Sequence, residues 1–196
     1  MSLREHLSAL NACPEARSWV GGRSPAEALA ACKRPDWLLW YLAQSIKAPS
    51  DRWHRLVVSL AADCAETALQ FIPTGEERPR LALEAARRWA AEPNAESLAA
   101  CRIAADAAAY AVAAYATAYD AAAAAARAAA TAYDAYAAAA AAYAVNAAAN
   151  AADAADDAAA YTGEAQTCVQ LCDLIRRRLA EQPELLAEIL AEASSQ

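Results

Sequence analysis

Apolar positions recur at helical spacing through the first half of the chain, and the breaks between the runs carry capping residues, Pro or Gly. The pattern predicts a short opening helix from Ser2 to Leu10 and a second turn, E-A-R-S-W-V, that follows Pro14 and closes at Gly21-Gly22. Ser24-Pro25-Ala26-Glu27 has the form of a capping box, with Ser24 as N-cap, Pro25 at the first helical position and Glu27 three residues on. That helix should run to about Lys33 and stop ahead of Pro35. Asp36 is then positioned to cap W-L-L-W-Y-L-A-Q-S-I-K, which ends near Lys47. Ser50 or Asp51 is positioned to cap a long helix reaching Ile72, ended by Pro73 and Gly75. Pro79 opens R-L-A-L-E-A-A-R-R-W-A-A-E, ended by Pro93. No Pro falls inside a predicted helix, so the local signals agree with one another.

The second half is different. From about Ala104 to Ala160 roughly two thirds of the residues are Ala, with no Gly or Pro. One unbroken helix there would be about 85 Å long, too long for a domain of this size. The segment must turn, and Asn146 and Asn150 are the residues best suited to a helix end or a new N-cap. The hexapeptide A-T-A-Y-D-A occurs at 116–121 and again at 130–135. Fourteen residues is close to four helical turns, so the two copies share a face. Tyr115, Tyr119 and Tyr133 then gather on one side near Val112. Asp106, Asp120, Arg127, Thr131 and Asp134 gather on the other. After Gly163 an ordinary amphipathic helix resumes, with Arg residues in its last turns that suit the helix dipole, and Pro183 starts a final one.

Composition sharpens the class. About a third of the 196 residues are Ala, the best helix former, while Val, Ile, Thr and Phe, which fill strands, are scarce. The expectation is an all-α, single-domain helical bundle of about eight helices with a long Ala-rich helical hairpin. Its parts are a Trp-bearing half over 1–93, the Ala-rich region over 94–162 and C-terminal helices over 163–196. Mean hydropathy is only +0.06, and the Ala tract carries Asp every few residues and almost no Leu, so no membrane span is expected. No secretory signal is read at the start. Cys13, Cys32, Cys64, Cys101, Cys168 and Cys172 form no C-x-x-C pair and only two His exist, so no zinc site and no cofactor is expected. Thiols of this kind pack as small apolar groups and suit a reducing, cytoplasmic setting. The net charge of -7 argues against nucleic acid as a partner and suits a basic one.

Few residues point to chemistry. His6 and His54 lack any neighbouring nucleophile motif, so a catalytic role is not expected of either and the chain reads as a non-enzyme. Cys168 and Cys172 share a helical face, where core packing outweighs metal binding. Trp37, Trp40 and Tyr41, at i, i+3 and i+4, read first as the central core contact of the N-terminal half. The sharper alternative is a binding hot spot. Six aspartates, Asp106, Asp120, Asp134, Asp153, Asp156 and Asp157, face one Arg in the Ala tract and hold about -5 of the net charge. They keep an Ala-rich helix solvated on the plain reading, and offer a surface to a basic partner on the functional one. Thr117 and Thr131 are too few for an ice-binding array.

Several segments resemble one bacterial family. These are C-K-R-P-D-W-L-L-W-Y-L (Cys32–Leu42), A-x-x-C-A (Ala61–Ala65), F-I-P-x-G-E-E-R-P-R (Phe71–Arg80), R-R-W-A (Arg87–Ala90) and C-x-L-I-R-R-R-L (Cys172–Leu179), with the Ala/Tyr/Asp tract between the last two. Together they resemble immunity proteins of polymorphic toxin systems, in the group similar to the fifth immunity class, over roughly residues 10 to 180. The resemblance implies an all-helical, non-enzymatic protein that binds and neutralises a cognate toxin encoded beside it, and it carries no catalytic residue. A toxin with a basic active-site cleft would suit the six aspartates. The alternative is a helical scaffold or homo-oligomerisation module with no toxin partner.

Overall fold

The computed structural model describes residues 2–48, 50–67, 69–71, 74–114 and 163–195. Among these the protein is all-helical, with nine α-helices, one 3-10 turn and no strand. The helices are α1 (Leu3–Ala9), α2 (Pro14–Val20), α3 (Pro25–Ala31), α4 (Pro35–Ala43), α5 (Arg52–Glu66), α6 (Arg78–Ala91), α7 (Ala95–Ala114), α8 (Gly163–Ala180) and α9 (Pro183–Ser195). The expected count of about eight is thus exceeded by one within the described residues alone. The Ala-rich hairpin, its breaks at Asn146 and Asn150 and the Tyr115/Tyr119/Tyr133 face lie outside them.

Local capping explains most boundaries. Ser24 accepts the Glu27 N–H at 3.3 Å while Glu27 Oε2 accepts the Ser24 N–H at 2.8 Å, the predicted capping box. Ser2 and Glu5 form a second one at α1. At α2 the thiol of Cys13 takes the capping place, accepting the Ala16 N–H at 3.4 Å. Gly21 ends α2 at φ +52° and ψ -120°, a conformation that a Cβ strains. Asn94 and Ser97 exchange N–H bonds of 3.1 and 2.8 Å ahead of α7.

Two helices depart from the sequence reading. Asp36 does not cap α4. Pro35 already occupies the first turn, so the N-cap falls on Arg34, and the Asp36 carboxylate instead takes two bonds from the Arg34 guanidinium, at 2.9 and 2.7 Å. The helix also stops at Ala43 rather than near Lys47. Ser45 and Ile46 bond back to Leu42 and Ala43 in tighter turns, and Asp51 Oδ2 accepts the N–H groups of Lys47 and Ala48. The other oxygen of Asp51 caps α5 through the His54 N–H at 2.7 Å. The end of α5 falls at Glu66, where the Thr67 hydroxyl donates to the Cys64 carbonyl, and a 3-10 turn follows at Leu69–Phe71.

The core centres on α5. Val57, Val58, Leu60, Ala61, Ala62, Cys64 and Ala65 are wholly buried between α4, α6 and α8. Small residues let the backbones approach: Ala61, Ala62 and Ala65 meet an α6 face built on Ala82, Ala85 and Ala86. The short link 92–94 makes α6 and α7 antiparallel neighbours, and the Cys101 thiol donates to the Ala85 carbonyl at 3.0 Å between them. Leu171, Cys172, Ile175 and Leu179 of α8 and Leu185 and Ile189 of α9 close the core. Trp53 and Trp89 are the buried tryptophans, and the His54 ring stands edge-on to Trp89 at 4.8 Å. A smaller cluster of Leu3, Leu7, Ala12, Val20 and Ala28 joins the main one through Trp19 and Tyr41.

Candidate binding cleft

Helix α4 separates the two clusters, and this decides the fate of its aromatics. Leu38, Leu39 and Leu42 face the main core and are buried, Leu39 completely. Trp37, Trp40 and Tyr41 are only partly buried. The three rings thus pack against the core clusters from their margin and are not the most enclosed residues of α4. Leu39 is wholly enclosed in the main core, Leu38 and Leu42 reach both that core and the cleft, Trp37 and Tyr41 pack on the main cluster, and Trp40 packs on the smaller one.

The rings line this cleft with Trp19, Val20, Leu29 and, from α9, Ile189. Its open volume is about 80 Å³, well below the ~300 Å³ at which ordinary small-molecule pockets begin. Trp19 and Trp37 meet edge-to-face, with centroids 5.9 Å apart and planes at 62°. Arg23 lies over the Trp19 ring at 4.9 Å and also donates to the Trp19 carbonyl. Arg34 lies over Trp37 at 4.7 Å, held there by Asp36, and that hydrogen-bonded carboxylate raises the pKa of its guanidinium. The result is a row of stacked Arg and Trp side chains beside a space sized for one side chain. Trp19, Arg23 and Arg34 were not singled out from the sequence. Trp19 precedes a Gly-Gly break that reads only as punctuation.

The other candidates sit elsewhere. His6 is buried, with its Nε2 3.4 Å from the Tyr41 hydroxyl and its Nδ1 without a partner. His54 is buried, and its Nδ1 accepts the Ser50 N–H at 3.2 Å. Cys172 is buried and Cys168 half-buried. Burial pushes the Cys172 thiol up to about 12 and Cys101 up to about 11, and raises Cys32 and Cys64, so these four stay protonated at neutral pH. No group of three or more His, Cys, Asp or Glu able to hold a metal ion occurs among the described residues. No helix among them is long and apolar enough to cross a membrane. Of the six aspartates, Asp106 stands exposed on α7. Asp120, Asp134, Asp153, Asp156 and Asp157 lie outside the described residues.

Comparison with protein-family models, with curated proteins and with solved structures finds no match to this chain.

Proposed function

We propose that this chain is a non-enzymatic binding protein of the immunity kind, which neutralises a cognate protein toxin by forming a stoichiometric complex with it. The observation that supports this reading is the cleft of Trp19, Trp37, Trp40 and Tyr41 with Arg23 and Arg34 stacked at its rim. Trp, Tyr and Arg are the residues that dominate protein-binding hot spots. The space they leave suits an apolar side chain of the toxin better than a free ligand. The motifs from Cys32 to Leu42 and from Phe71 to Arg80 add the resemblance to immunity proteins.

The finer part of the proposal concerns charge. Asp106, Asp120, Asp134, Asp153, Asp156 and Asp157 attract a toxin whose active-site cleft is basic. Such steering acts mainly on association rate and is screened within about 8 Å at physiological salt. Replacing Asp120, Asp134, Asp156 and Asp157 by Asn then slows association and flattens its salt dependence.

The test is co-expression with the product of the adjacent gene. The expected outcome is protection of the cell and a complex of defined stoichiometry after purification. A neighbour that is not toxic, or a toxin that stays active and unbound beside an excess of this protein, overturns the proposal. A helical scaffold or homo-oligomer would instead form assemblies of this chain alone, visible by light scattering.

A further inference from the structure

A second cavity, of about 210 Å³, opens between α5 and the junction of α8 with α9. From α5 it is lined by Arg52, Arg55, Leu56 and Ser59, positions i, i+3, i+4 and i+7 that share one helical face. From the other side come Arg178, Gln182 and Leu185. Three guanidinium groups thus border one polar space, on a protein whose net charge is -7.

The three are not equivalent. Arg52 pairs with Glu188 of α9. Arg178 is held by Asp63 at 2.9 Å and Glu181 at 2.8 Å. Arg55 has no carboxylate partner among the described residues, and its Nε is buried without a hydrogen-bond acceptor. A buried donor left without an acceptor is unfavourable, and where it borders a cavity an incoming acceptor relieves it. Gln182 and Leu185 place the cavity at the N-terminal end of α9. Pro183 opens that helix without an N–H and the Leu186 N–H bonds the Gln182 carbonyl at 3.0 Å, so the amides left to the first turn are those of Glu184 and Leu185, beside the Glu184 carboxylate. Ser59 and Gln182 add neutral polar groups, while Leu56 and Leu185 add an apolar wall.

We propose that this cavity is a binding site for a phosphate group, and that it takes the phosphate as part of a small monoester. Guanidinium groups match phosphate oxygens in paired bonds, which a chloride ion cannot reproduce. The volume exceeds the needs of a bare oxyanion, and the two leucines give an organic substituent an apolar surface. Arg55 is the principal ligand. Arg52 and Arg178 are neutralised by Glu188, Asp63 and Glu181, so they add N–H donors at the rim and leave Arg55 to supply the charge. The site is separate from the aromatic cleft and does not depend on the proposed toxin.

The test titrates the whole protein with inorganic phosphate and with phenyl phosphate by calorimetry, in chloride buffers of matched ionic strength. Saturable one-to-one binding is expected, with phenyl phosphate the tighter. In wild-type protein the NMR signal of the Arg55 Nε–H should move on titration, which locates the site without a substitution. Arg55→Gln should weaken binding at least ~tenfold, equivalent to about 1.4 kcal/mol. Arg88→Gln, at an exposed α6 position outside the cavity, should leave it unchanged. Absence of saturable binding at millimolar phosphate, an unmoved Arg55 signal, or equal losses in the two variants overturns the proposal. Equal affinity for the two probes overturns the monoester.

Discussion

Leu39→Ala separates the structural account of α4 from the reading that makes its aromatics the core. Leu39 is 0% exposed and is surrounded by the main cluster, which includes Val57, Val58 and Leu60. The substitution removes three buried carbons, worth about 2.4 kcal/mol of transfer free energy at about 0.8 kcal/mol each. The wholly buried site has little room to collapse, and the residual cavity brings the expected loss to about 3–4 kcal/mol. Trp37→Ala on the same helix takes away a larger ring that is mostly buried, so its cost should be similar, about 3 kcal/mol, and the discriminating result is the full loss at Leu39. Urea unfolding followed by far-UV circular dichroism measures both, with comparable slopes for wild type and variants. For a chain of this size a loss of 3 kcal/mol lowers Tm by about 6–12 °C. If Leu39→Ala loses less than about 1 kcal/mol while Trp37→Ala loses several, the rings are the core and the cleft argument fails.

Other outcomes are equally definite. Asp51→Ala should lose about 1–2 kcal/mol at neutral pH in urea unfolding, because the carboxylate caps α5 and ties down the preceding loop. Burial acts to raise the pKa of Asp51, but the N–H bonds from His54, Lys47 and Ala48 outweigh it and hold it below 3.8. The stability this lowered pKa confers is therefore fully present above the unfolded-state pKa and disappears as pH falls through the folded one, so wild type and variant should converge at acid pH. Brief alkylation of the native protein, read by peptide mass spectrometry, should label exposed Cys13 and spare Cys32, Cys64, Cys101 and Cys172 until urea unfolds the chain. Gly21→Ala should lose about 1 kcal/mol or more on thermal melting, through backbone strain alone, because an added Cβ meets nothing within 4 Å.

The helical class and most helix starts were legible because their signals are local. Ser24, Pro25 and Glu27 complete a capping box within four residues, and the structure keeps it. Helix ends were less legible. Nothing in A-E-T-A-L-Q-F-I opposes a helix, and α5 ends at Glu66 where Thr67 bonds back to the Cys64 carbonyl. Asp36 looked like a cap until Pro35 took the first turn and Arg34 took the carboxylate. The side of α4 that faces the core is a tertiary choice, since leucines and rings alternate around a helix that is apolar nearly all round. The cleft and the basic cavity join residues far apart in the chain, Trp19 with Ile189 and Arg55 with Arg178. Helical periodicity groups residues within one helix and carries no information on such pairs.

The most direct test of the central claim is the affinity of the proposed toxin partner, sought as the adjacent-gene product, for wild-type protein and for Trp37→Ala, measured by calorimetry below the melting temperature of the variant. The account predicts that the variant stays folded and binds at least ~30-fold more weakly, a loss of about 2 kcal/mol. A folded Trp37→Ala variant that binds the toxin as tightly as wild type would contradict it.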